Sequence, residues 1–290
     1  MITIFSSMRP FHGNIGEVQL NAIHCWLALR PKCEILLFED EEGTTLEATR
    51  GLNIRVVAEV KRSRLGAPLL DDLFRLARVN ATHDILAYNT ADVLLPADFS
   101  PKVAECHRLM AGKPYMAIGS RIDMTRAMQI DFSRPDWFEQ VRAEVAMAGV
   151  PHGHTAGDLW VYPRDFDMAP PPFPIGRHLT DGWAIYRNRC DRIPVIDLTA
   201  EILLVHQLHD RPAKKNPLFY EEQLECVRLF ENAAENALSV IDADWIYTGG
   251  EIRRPQGMRR LRSALSLFHP YRWLVGWRRK LKLPHLYRVS

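Results

Sequence analysis

Asn89-Thr90-Ala91-Asp92 follows directly on the apolar run Ile85-Leu86-Ala87-Tyr88. A carboxylate at such a strand end can ligate a divalent cation, and the cation can clamp a diphosphate. The plain alternative is a turn aspartate that caps the next segment. His206-Gln207-Leu208-His209-Asp210 follows a second apolar run, Ile202 to Val205. Two histidines three residues apart beside a carboxylate can bind a metal, or can simply belong to a surface loop. Phe173-Pro174-Ile175-Gly176-Arg177 leads into Asp181-Gly182-Trp183. Arg177 can pair with phosphate, Asp181 can serve as a general base, and Trp183 offers a flat face to a sugar ring. The alternative is a loop anchored by Trp183, with Asp181 capping a helix. Gly119-Ser120-Arg121-Ile122-Asp123 places Arg121 at another strand end, for a phosphate or for an internal salt bridge.

These residues need a frame that gathers strand ends. Apolar runs at 2–6, 34–38, 54–60, 84–88 and 93–95 predict strands. Helical spacing at 16–29 and 69–81 predicts helices between them. Alternating strands and helices argue for an α/β fold with a mainly parallel sheet, whose ligands lie beyond the carboxyl ends of the strands. Ser6, Ser7 and Arg9, Glu39 and Asp40, and 89–92 then share one edge. Runs at 114–119, 157–162 and 193–205 predict further strands, while 169–176, with four prolines, admits neither helix nor central strand. Residues 218–240 read as a helix.

The chain has 290 residues, 47% hydrophobic and 25% charged, the composition of an ordinary globular protein large enough to build its own core. Its five cysteines are odd in number and form no CxxC, which excludes a zinc ribbon and argues against a disulfide framework. A reduced, cytoplasmic setting fits them. The first residues lack a signal-peptide pattern, and no apolar run is long enough for a membrane span. GxGxxG, P-loop, GxSxG and HExxH motifs are all absent.

Taken in order, the motifs resemble a glycosyltransferase of the GT-A fold. More narrowly, they are similar to the glycosyltransferase-like proteins, themselves uncharacterised, of bacteria and plants. The pattern is Phe5-Ser6-Ser7-Met8-Arg9-Pro10, Gln19 with Asn21-Ala22-Ile23 and Trp26, Gly66 to Phe74, Ile85 to Leu95, Gly119 to Asp123, Gly157 to Arg164, Pro172 to Arg177 with Asp181 and Trp183, Val195 to Thr199, and Val205-His206-Gln207 with His209-Asp210. It covers about residues 1–210. The resemblance implies an α/β fold with a mixed sheet flanked by helices, of the Rossmann-like, nucleotide-diphospho-sugar transferase type. It further implies a nucleotide-sugar donor, most simply UDP-linked, a divalent metal (Mn2+ or Mg2+), and a glycan or lipid-linked acceptor. Thr90-Ala91-Asp92 takes the place of the acidic triplet, reduced to Asp92 as metal ligand. Ser6, Met8, Glu39 and Asp40 lie where the nucleoside is held, with Arg177 as a phosphate candidate. Asp181 matches the general base of inverting enzymes. His206 matches the late histidine of the metal or diphosphate site, with His209 in reserve.

Beyond 210 the expectation is a helical extension, 211–251, and a basic amphipathic tail, 252–290. The tail holds eleven Arg and Lys and no acid, which leaves 26 basic against 35 acidic side chains in the remainder. Basic residues mixed with Trp, Leu and Phe fit a helix lying on an anionic membrane surface. The alternative is a helix packed on the body with its arginines toward acidic groups. These features predict a peripheral protein on the cytoplasmic face of the membrane, active in polysaccharide biosynthesis, with no nucleic-acid partner. The rival functions are an inactive sugar-nucleotide-binding or adaptor protein, and a metal-dependent hydrolase built on His206, His209 and Asp210.

Overall fold

Period-two alternation of apolar residues on the central strands sorts side chains to the two faces of one sheet. Ile2 and Ile4 face one core, and Phe5 faces the other; Ile85 and Ala87 oppose Leu86 and Tyr88 in the same way. Strands buried on both faces need helices on both, and the computed structural model, which describes residues 1–209 and 216–282, has them. Strands β1 (Ile2–Ser7), β2 (Glu34–Phe38), β3 (Arg55–Val57), β4 (Ile85–Asn89), β6 (Met116–Gly119), β9 (Leu159–Pro163), β10 (Val195–Asp197), β12 (Trp245–Thr248) and β13 (Glu251–Arg253) form a nine-stranded sheet. Its order is β13-β12-β10-β6-β9-β4-β1-β2-β3, parallel except for β9 and β13. Helices α1 (Gly13–Ala28) and α4 (Phe99–Leu109) bury Ala22, Ile23, Trp26, Phe99 and Val103 in the first core. Helices α3 (Leu70–Asn80) and α6 (Thr180–Cys190) bury Leu73, Phe74, Ala77, Ala184 and Ile185 in the second.

A smaller sheet lies where the main strands end. β5 (Val93–Leu94), β11 (Leu204–His206), β7 (Arg121–Met124) and β8 (Gly149–Pro151) run in that order. Only a residue or a short turn separates β4 from β5 and β6 from β7, so the small sheet continues the carboxyl edge of the large one. Helix α5 (Trp137–Ala148) leads into β8, and the short α2 (Thr45–Ala48) follows β2.

Past residue 210 the chain departs from a helical extension. Helix α7 (Pro217–Leu229) ends at buried Phe230. Asn232, at φ +53°, turns the chain before the short α8 (Ala233–Asn236). β12 and β13 then return to the main sheet, β12 pairing with β10. Helices α9 (Gly257–Leu265) and α10 (His269–Lys282) follow.

Candidate active site

The parallel pairing of β11 with β7 sets His206 opposite Asp123, and the antiparallel pairing with β5 sets it opposite Val93, one residue past Asp92. Register alone therefore gathers two carboxylates around one imidazole. His206 Nε2 lies 3.5 Å from Asp92 Oδ2, and His206 Nδ1 lies 3.2 Å from Asp123 Oδ1. His209 Nε2 reaches the same Asp92 oxygen at 2.9 Å. Between the two histidines the chain is pinned. Gln207 donates its backbone N–H to Asp92 O and its side-chain amide to Val18 O, and accepts from Asn21. Burial pushes the Asp92 carboxyl up, but the two imidazoles hold it well below the usual carboxylate range.

The donor atoms of Asp92, His206 and His209 lie within 4.8 Å of one another, and Asp92 Oδ1 is buried with no hydrogen-bond partner among the described residues. An ionised oxygen in that state requires a cation or a solvent molecule. One carboxylate and one or two imidazoles suit a Mn2+ or Mg2+ ion completed by phosphate and water oxygens. The residues present fit the implied metal. Asp210 lies outside the described residues.

Arg121 links this cluster to a second one. Its Nε donates to Asp123 at 2.8 Å, and its Nη1 contacts both oxygens of Asp158 at 2.8 Å. Asp158 immediately precedes β9, the antiparallel strand between β4 and β6, which brings its carbonyl to Thr90 N at 3.1 Å. Asp181 sits in the first turn of α6, entered through Leu179 at φ +85°, a conformation that costs a leucine roughly 1–2 kcal/mol. Gly157 N–H and Trp160 Nε1–H donate to Asp181, each at 3.2 Å. Burial, then the negative charge of Asp158, push the Asp181 carboxyl up to about 7. A carboxylate poised near neutrality is the right strength for a general base.

The nucleoside candidates are dispersed. Asp40 Oδ2 accepts from the backbone and hydroxyls of Thr44 and Thr45 at 2.7–2.9 Å, and Oδ1 accepts from Glu42 N–H. Partial burial is outweighed by these bonds, which take Asp40 down to about 2. Glu39 Oε1 accepts from Thr45 N–H at 2.7 Å. Both acids build the turn into α2. Met8 is buried in the first core, so only its backbone borders the edge. Ser6, next to last in β1, has a buried hydroxyl with no partner among the described residues.

Two expectations are corrected. Arg177 is not brought to the site: its guanidinium, stacked 4.4 Å from the Phe219 ring, donates to fully buried Glu222 on α7. A desolvated arginine needs such a partner, and Glu222 lies 45 residues on. Trp183 is buried edge-to-face against Phe173 at 5.7 Å and presents no face to a sugar. Glu222→Leu strands the arginine, and we expect a loss of about 3–5 kcal/mol in denaturant unfolding with nucleotide affinity unchanged. A loss of nucleotide affinity at intact stability would restore Arg177 to the site.

The sequence motifs included Asp123, Asp158 and Trp160 without a role for any of them, and did not include His152. His152 Nδ1 meets Asp123 Oδ2 at 2.5 Å. Their signal was weak: an acid beside an arginine at a strand end.

With the geometry in place, the solved structures supply the comparison. S. aureus TarS, residues 1–349 with UDP-GlcNAc, matches at TM-score 0.50 and 15% identity, over 81% of this chain and 67% of that one. The chain has the GT-A fold. A Pyrobaculum calidifontis mannosyltransferase with GDP-Man and Mn2+ aligns at TM-score 0.47 and 14% identity, over 100% of this chain and 76% of that one. Glucosyl-3-phosphoglycerate synthase from Mycobacterium tuberculosis, with Mn2+, UDP and phosphoglyceric acid, aligns at 0.47 and 12%, over 79% and 78%. No family model and no curated protein matches the chain. The GT-A frame accounts for the mixed order of the main sheet and for the site at its carboxyl edge.

Proposed function

We propose that this chain is a metal-dependent glycosyltransferase that moves a sugar from a nucleotide-sugar donor to an acceptor hydroxyl. The observation that carries the reading is the pairing of Asp92 and His206 with a neighbouring carboxylate, Asp181, poised near neutrality, all within a GT-A fold. Asp92 and His206 would hold the metal, which when bound supplies positive charge against the departing diphosphate. Ser6 and the turn at Glu39 and Asp40 border the nucleoside end of the cleft. Asp181 takes the proton of the acceptor hydroxyl as its oxygen attacks the anomeric carbon, and a single displacement inverts that carbon. Arg121 keeps Asp158 paired, which limits the negative charge that Asp181 faces.

A thermal-shift screen of nucleotides and nucleotide sugars, with and without Mn2+, tests the reading. A ligand at 100 times its Kd stabilises the fold by about 2.7 kcal/mol. A Mn2+-dependent shift with one nucleotide class, UDP first, supports it. Silence across all nucleotides overturns it.

The acceptor is a glycan or a lipid-linked sugar at a membrane surface, which places the protein in polysaccharide assembly at the cytoplasmic leaflet. The tail supports this in a revised form. Arg259 pairs with Asp197 at 2.6 Å, Arg262 with Asp242 at 2.7 Å, and Arg272 bonds Tyr186 and Asn236, so these cations face the body. α10 lies on α8, with Gly276 against Glu235. The exposed side chains of this segment include the apolar Met258, Leu261, Phe268, Trp273, Leu274 and Trp277, beside Arg260 and His269. Among the described residues no helix is long and apolar enough to cross a membrane. Such a stripe, with Trp beside basic residues, suits an interfacial helix. Trp273→Ser with Trp277→Ser is expected to reduce co-sedimentation with phosphatidylglycerol vesicles at least tenfold, the scale of about 1.4 kcal/mol. Arg262→Gln should lower Tm and leave sedimentation near wild type. Equal sedimentation of the double variant and wild type would exclude this surface.

A further inference from the structure

His206 and His209 both reach Asp92 Oδ2, yet their second nitrogens face groups of opposite kind. The Arg9 guanidinium has donors only, and its Nη2 lies 3.2 Å from His209 Nδ1. His209 Nδ1 therefore accepts. The neutral ring then carries its proton on Nε2, which donates to Asp92 Oδ2 at 2.9 Å. His206 Nδ1 faces Asp123 Oδ1 at 3.2 Å. That oxygen also accepts from Arg121 Nε at 2.8 Å, and the partner oxygen is engaged by His152. A carboxylate flanked by an arginine accepts, so His206 carries its proton on Nδ1. Its Nε2 lone pair then points toward Asp92, 3.5 Å away. Two adjacent ligands on a small divalent ion, each about 2.1 Å from it, stand about 3 Å apart.

We propose that the two histidines are held in opposite tautomers, His206 by Asp123 and His209 by Arg9, so that His206 is the metal ligand and His209 a hydrogen-bond donor that orients Asp92. Asp123 is thereby a positioning residue, bonding the far nitrogen of a ligating imidazole as outer-shell carboxylates do. Arg121 holds Asp123 and Asp158 on one guanidinium, so the group that orients His206 also fixes the acid beside Asp181. The inference rests on the metal-dependent reading above.

The tautomers are read directly in the full-length, metal-free protein, labelled with 15N-histidine and studied near pH 8.5 by long-range 1H–15N correlation. His206→Gln and His209→Gln assign the two rings. The expected result is His206 protonated on Nδ1 and His209 on Nε2. Mn2+ titration calorimetry then separates the roles. Asp123→Ala should weaken Mn2+ binding by about 10–100-fold, with Asp123→Asn, which keeps an acceptor oxygen, restoring most of it. His206→Gln should abolish Mn2+ binding, and His209→Gln should leave measurable affinity. His206 protonated on Nε2 in the wild type, or His209→Gln as damaging as His206→Gln, overturns the assignment. Because the tautomers are measured without metal, donor or turnover, they stand or fail separately from the transferase reading.

Discussion

Asp181→Asn is expected to lower transfer by about 10²–10⁴-fold, the usual worth of a general base, while the Mn2+-dependent nucleotide shift persists. The amide preserves the shape and still accepts from Gly157 N–H, but it cannot take a proton. The pH dependence carries a second signature. Asp181 must be ionised to act, and burial together with Asp158 raises it to about 7. The wild-type rate should therefore climb as pH rises through about 7. Asp158→Asn removes the neighbouring charge and should move that limb to lower pH. The stability effect has the opposite sign. A carboxyl raised on folding binds its proton more tightly in the folded state, so its contribution is greatest at low pH. It is lost as pH rises from the ordinary aspartate value of 3.8 through about 7. Asp181→Asn should thus gain more Tm over wild type at pH 8 than at pH 5. A pH profile flat between 6 and 8, or full activity in the variant, would remove Asp181 from the chemistry.

Asp92→Ala should be as costly by a different route. Loss of the carboxylate removes a ligand and the acceptor of the His209 Nε2–H at once. We expect the Mn2+ dependence of nucleotide binding to disappear and the rate to fall by at least about 10²–10³-fold, the scale of losing one electrostatic stabiliser. The side chain lies at a loop rather than in a core, so the fold should survive, which circular dichroism verifies. Unchanged Mn2+ affinity in this variant would move the metal elsewhere.

The parts of the site that sequence made legible are those fixed by local pattern. Ile85 to Tyr88 is an apolar run ended by turn residues, so Asp92 fell at a strand end by necessity. Asp181 stood out only through the resemblance to inverting enzymes, since the residues themselves left base and helix cap equally open; it lies in the first turn of α6. The long-range pairings were not legible. Leu159 to Tyr162 is equally apolar whether it runs parallel or antiparallel, and only its antiparallel insertion between β4 and β6 brings Asp158 beside Asn89 and Thr90. Nothing near Arg177 announced Glu222, and nothing in the tail announced that its arginines would meet Asp197 and Asp242. Residues 218–240 kept a helical composition throughout, yet left-handed Asn232 and the extended Ala237 and Ser239 divided them.

The four-stranded sheet has a consequence for amide exchange. Its strands come from residues 93 to 206, and the pairing of β11 with β5 and β7 is what holds His206 between Asp92 and Asp123. A segment this small opens as one cooperative unit, with a protection set by its own local stability rather than by the whole fold. An ion bridging Asp92 and His206 binds only the closed unit. It should slow exchange in β5, β7, β8 and β11 together, although β8 supplies no ligand, while β2 and β3 at the far edge of the main sheet keep their rates.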